Sequence, residues 1–191
     1  MDRKLDTLID SLLESQKIGI VIYGSLFRNE GILSHYLCDK YYEGPKLKIS
    51  FNGCNPFKQN LTRVLDYKNG EYMKTYIKIF DNTLGLEQVK RYIALREGNI
   101  NYVTYYKYKT NELINVPDHI TIYKKEIKKE LNQICKKIKL DYLFIITYPP
   151  KIENINNYIK QTDNILDNSK NYLSMCCKKT LSNVEKNILN N

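Results

Sequence analysis

The apolar run Ile18 to Tyr23 stops at Gly24-Ser25. A short β-branched run closed by glycine reads as a strand meeting a turn. Glycine lets a ligand come close to the backbone, and a helix starting just beyond adds its positive end, so the N–H groups of Gly24 and Ser25 suit a carboxylate or a phosphate. A second stretch, Val89 to Tyr102, ends a helical pattern on Arg96-Glu97-Gly98 and runs into an alternating strand. A carboxylate there faces the negative end of the helix dipole, and burial adds to the cost of its charge. Glu97 is thus placed to take and return protons. Arg96 beside it is expected to point outward or to pair structurally.

Other chemistries find less support in the spacing of residues. Nucleotidyl transfer also begins with strand, Gly-Ser and helix, but it needs an Asp-x-Asp pair on the next strand to hold metal ions; here the acids that follow the short helix around Gly31 are Asp39 and Glu43. The five cysteines (Cys38, Cys54, Cys135, Cys176, Cys177) include no Cys-x-x-Cys, and His35 and His119 complete neither a zinc set nor a Cys-His hydrolase pattern. No metal and no cofactor is expected.

The elements that must position these residues follow from periodicity. A first helix is predicted over 3–15 and a strand over 17–23. A short helix follows around Gly31, then a break at Gly44-Pro45. Three strands come next: Lys46–Phe51, Leu61–Tyr67 and Tyr72–Phe80, the last two flanking an Asn69-Gly70 hairpin signal. From Asp81 the period turns helical, with Leu86, Val89, Tyr92 and Ile93 on one face. The remainder reads as a strand from Asn101, a basic helix over 123–139, a buried strand over 141–148 closed by Pro149-Pro150, and two polar helices. Clustered strands with irregularly placed helices predict a mixed α+β domain around a curved or barrel-like sheet.

The chain of 191 residues is expected to form one domain, 1–191, with its core over about 17–175. Its formal charge of +9 invites a nucleic-acid reading. In the densest basic segment, however, Ile127, Leu131, Ile134 and Ile138 recur at helical spacing, which puts the lysines on a solvated outer face. Nucleic acid is not the expected partner. The amphipathic, mixed-charge N-terminus is unlike a signal peptide, and no apolar run reaches the ~18 residues of a membrane span, so a cytoplasmic location with no membrane partner is expected.

Taken in order, these motifs resemble a known family. Tyr23-Gly24-Ser25-Leu26 at a strand end is similar to the signature loop of the γ-glutamylcyclotransferase-like fold. Tyr92-Ile93-Ala94-Leu95-Arg96-Glu97-Gly98, followed by Tyr102 and a strand, resembles the Tyr-Leu-x-x-Arg-Glu block of its ChaC-type, glutathione-specific branch. Asn171-Tyr172-Leu173 sits where that family has its Glu-Tyr-Leu motif, whereas the basic helix has no counterpart in it. The resemblance implies a substrate cradle at Tyr23, Gly24, Ser25 and Leu26, Glu97 as catalytic acid/base, and Tyr172 bonded to the substrate carboxylate or to Glu97. It also implies a γ-glutamyl substrate and release of 5-oxoproline. A non-catalytic module that binds a small ligand or an acidic partner is the alternative.

Overall fold

The computed structural model describes residues 16–55, 60–161, 164–176 and 181–190. The helix expected over 3–15 and Cys177 lie outside them. Seven strands form one sheet: β1 (Ile18–Ile22), β2 (Tyr42–Asn55), β3 (Asn60–Leu65), β4 (Glu71–Ile79), β5 (Val103–Lys107), β6 (Glu112–Ile114) and β7 (Tyr142–Ile146), in the order β3-β2-β4-β1-β7-β5-β6. Only β1 and β7 pair in parallel. The helices are α1 (Leu86–Glu97), α2 (Asp118–Thr121), α3 (Lys124–Ile138), α4 (Ile155–Gln161), α5 (Ile165–Ser174) and α6 (Asn183–Asn190), with 3-10 turns at Ser25–Phe27, Gly31–His35 and Ile100–Tyr102.

β1 is apolar along its whole length because both of its faces are covered. Ile18, Ile20 and Ile22 pack with Phe144 and Ile146 of β7 and with Val89 and Ile93 of α1. Val21 joins the opposite core with Ile77, Leu143 and the α3 residues Ile127, Leu131 and Cys135. A third cluster covers the β2–β3 end: Phe51 and Leu61 meet Ile165, Tyr172 and Leu173 of α5 and Ile188 of α6. On α3 the lysines at 124, 125, 129, 136 and 137 are exposed, as the periodicity predicts.

Several expectations need correction. Gly44-Pro45 does not break the chain; it falls inside β2, where the register with β4 shifts between Glu43 and Lys46, so the proline needs no ladder position. The Asn69-Gly70 turn does not close a β3–β4 hairpin. β4 pairs with β2 over Tyr42–Ile49 and β3 pairs with it over Ile49–Asn55, and the two are not neighbours in the sheet. Neither Asn69 nor Gly70 has the positive φ of a type I′ hairpin turn. Instead Asp66 organises the turn: its Oδ1 accepts the N–H groups of Lys68 and Asn69, and its carbonyl accepts Gly70 N–H at 2.8 Å. Among the described residues three helices, not two, follow the last strand. The short β6 and α2 were also not foreseen, being too brief to establish a period.

Candidate active site

β1 and β7 run parallel, so their C-terminal ends open on the same side. There a cavity of about 1080 Å³ lies between those strand ends, the C-terminus of α1, the β2–β3 ladder and α5. All six residues singled out by sequence line it: Tyr23, Gly24, Ser25, Leu26, Glu97 and Tyr172.

The loop after β1 enters a 3-10 turn in which Phe27 N–H bonds Gly24 C=O and Asn29 N–H bonds Ser25 C=O. The N–H groups of Gly24, Ser25 and Leu26, at the start of that turn, donate to nothing among the described residues. A Cβ on Gly24 would lie 2.6 Å from the Tyr172 hydroxyl, so only glycine lets α5 close over the loop. Tyr172 in turn accepts the Arg63 N–H at 3.1 Å, and its own O–H is left to donate. It makes no bond to Glu97, one of the two roles the resemblance implies for it.

α1 ends directly after Glu97 on a left-handed Gly98, φ 73°, which fixes the carboxylate on the last turn. The Glu97 side chain is only 7% exposed and is paired with the Arg96 guanidinium, which also donates to the Asn29 carbonyl at 2.9 Å. Arg96 therefore pairs structurally, tying the end of α1 to the loop after β1. The end of β7 braces both partners. The Tyr23 hydroxyl donates to the Ile146 carbonyl, and the Tyr148 hydroxyl donates to the Glu97 carbonyl at 2.5 Å.

No family model, no curated protein and no solved structure matches the chain.

The Tyr23 hydroxyl is pushed well above its ordinary pKa, first by burial and then by its neighbours Tyr172 and Glu97. Burial likewise raises Tyr172, against which the Arg63 N–H works. Tyr148 is pushed up to about 12, chiefly by burial and then by Glu97. At neutral pH these phenols are hydrogen-bond donors and not bases. Glu97 is the single carboxylate among the described lining residues. Asp39 and Glu43, the acids that follow the short helix around Gly31 in sequence, do not line the cavity.

Sequence reasoning missed three contributors. Tyr148 was one of 17 tyrosines and carried no distinguishing pattern. Asn60 is buried at the cavity wall, its Nδ2 donating to the Leu61 carbonyl at 2.9 Å while Oδ1 has no partner, so an acceptor is left for a ligand. Arg63 did leave a signal: a lone cation in the apolar run Leu61–Leu65 must find a buried partner.

Proposed function

We propose that this cavity is the active site of a γ-glutamylcyclotransferase-like enzyme, folded as that family's mixed sheet with flanking helices, which cleaves a γ-glutamyl amide and releases 5-oxoproline. One observation carries the reading: the cavity's only described carboxylate, Glu97, shares it with a loop offering three N–H groups that have no partner among the described residues. An anion-gripping loop and one acid/base are what an intramolecular cyclisation of an amino acid requires.

In this reading the Gly24, Ser25 and Leu26 N–H groups hold the α-carboxylate of the γ-glutamyl group, and the Tyr172 O–H donates to the same carboxylate. Glu97 takes a proton from the α-ammonium. The freed amine attacks its own γ-carbonyl carbon, forming the ring C–N bond and a tetrahedral oxyanion. As the oxyanion collapses, the bond to the leaving amine breaks, Glu97 returns its proton to that amine, and the ring nitrogen gives up its second proton to solvent, leaving the lactam N–H of 5-oxoproline. The step needs no external nucleophile and no redox partner. Because attack is intramolecular, orientation supplies an effective molarity of about 10⁵–10⁸ M, and a positioned acid/base adds roughly 10²–10⁴.

The test is 5-oxoproline release, read by mass spectrometry, from glutathione and a panel of γ-glutamyl amino acids and amines. Wild type is expected to form product, and Glu97→Gln to lose about 10²–10⁴ of the rate with its thermal midpoint preserved. Folded wild type that forms no product from any member of the panel would reject the assignment.

A further inference from the structure

Arg63, which lines the cavity, is held by an ion pair with a helix that does not line it. Arg63 on β3 and Glu185 on α6 are both buried, their side chains 1% exposed, and they meet in a two-point contact: Nε to Oε1 at 2.6 Å and Nη2 to Oε2 at 2.9 Å. The remaining guanidinium nitrogen, Nη1, donates to the Tyr23 carbonyl at 2.7 Å, one residue before Gly24. The main-chain N–H of Arg63 donates to the Tyr172 hydroxyl, the same atom that packs against Gly24. Arg63 therefore holds the Gly24-Ser25 loop from two sides.

Glu185 is fixed in its turn. Its Oε2 accepts the Ser182 N–H at 2.8 Å and its own N–H reaches Ser182 Oγ at 3.3 Å, the reciprocal capping of a Ser-x-x-Glu helix start. The carboxylate that starts α6 is thus the carboxylate that aims the arginine. A planar guanidinium suits this role because it can grip a carboxylate by two nitrogens and still have a third to spend; an ammonium cannot.

We infer that Arg63, aimed by Glu185 of α6, is the positioning residue for the anion-gripping loop, so that the last described helix is a working part of the site although none of its residues lines the cavity. The inference rests on the reading of that cavity as the substrate site.

Removing one partner of a buried ion pair threatens folding, whereas replacing both by apolar residues of similar volume often does not. The test therefore uses the double variant Arg63→Met/Glu185→Met, with Arg63→Lys beside it. Hydrogen exchange followed by mass spectrometry reads the loop directly and needs no turnover. In the folded double variant the amides of Phe27, Arg28 and Asn29, which bond the Gly24 and Ser25 carbonyls, are expected to exchange about tenfold faster than in wild type, as loss of a charge-assisted bond implies, while those of α1 are unchanged. Arg63→Lys, which keeps the charge but not the fork, is expected to fall between the two. With an active γ-glutamyl substrate, KM should rise at least about tenfold more than kcat falls, since Glu97 is untouched. Loop exchange at the wild-type rate in a folded variant overturns the inference. So does unfolding of both variants, because the pair would then be holding the whole fold and not the loop. Wild type that makes no 5-oxoproline defeats the enzymatic reading alone and leaves the exchange result standing.

Discussion

At the scale of single residues, Gly24 is constrained by one atom, the Tyr172 hydroxyl, in a segment nearly 150 positions away. Gly24→Ala must displace that hydroxyl and release the Arg63 N–H it accepts. The expected cost is about 1–3 kcal/mol of stability, with loss of binding to the γ-glutamyl ligand proposed above. Tyr172→Phe removes the offending atom, and the next nearest ring atom stands 3.8 Å from the added Cβ. A double-mutant cycle read by urea denaturation should therefore show the pair Gly24→Ala/Tyr172→Phe to be less destabilised than the sum of its members, by about 1 kcal/mol or more. Strict additivity would mean that the contact does not govern the loop.

At the scale of elements, the turn between β3 and β4 shows how a strong local signal can be put to another use. Asn-Gly commonly reverses a chain into a hairpin, but here Asp66 gathers the turn and the chain passes on along β2. Gly70 is needed for space and not for φ: a Cβ would lie 2.3 Å from the Asp66 carbonyl oxygen and 2.8 Å from the Ile49 nitrogen. Both are main-chain atoms and cannot swing aside. Gly70→Ala is expected to cost about 1–3 kcal/mol, whereas Lys68→Ala, at an exposed side chain in the same turn, should stay within about 0.5 kcal/mol. Chemical denaturation distinguishes the two, and equal small effects would show that the turn is not packed on β2.

At the scale of the whole molecule, the two-sided core determines which thiols can react. Cys135 lies on the buried stripe of α3, and burial pushes its thiol up to about 12, so almost none of it is thiolate at pH 8. Cys176 is also buried, Cys54 is intermediate and Cys38 is exposed. Iodoacetamide labelling of the native protein at pH 8, followed by peptide mass spectrometry, should modify Cys38 first and Cys54 more slowly, leaving Cys135 and Cys176 until denaturant is added. Rapid native labelling of Cys135 would place α3 off the sheet. Across the described residues no helix is long and apolar enough to cross a membrane.

Much of this was legible from local pattern. The strand at 18–22, the helix ending at Glu97-Gly98 and the basic helix at 124–138 appear where composition and period place them, because burial on one or two faces leaves a direct trace in residue type. The six candidate residues were likewise named from their local settings and from a resemblance. What sequence alone could not decide is that they meet. Gly24 against Tyr172, Tyr148 on the Glu97 carbonyl and Arg63 between Tyr23 and Glu185 are contacts between segments separated by 40 to nearly 150 positions. No periodicity records such contacts; they exist only once the parallel β1–β7 pair has brought two strand ends together and the C-terminal helices have closed over the β2–β3 ladder. Local sequence fixes which faces must be buried, and tertiary packing decides which buried polar groups become partners.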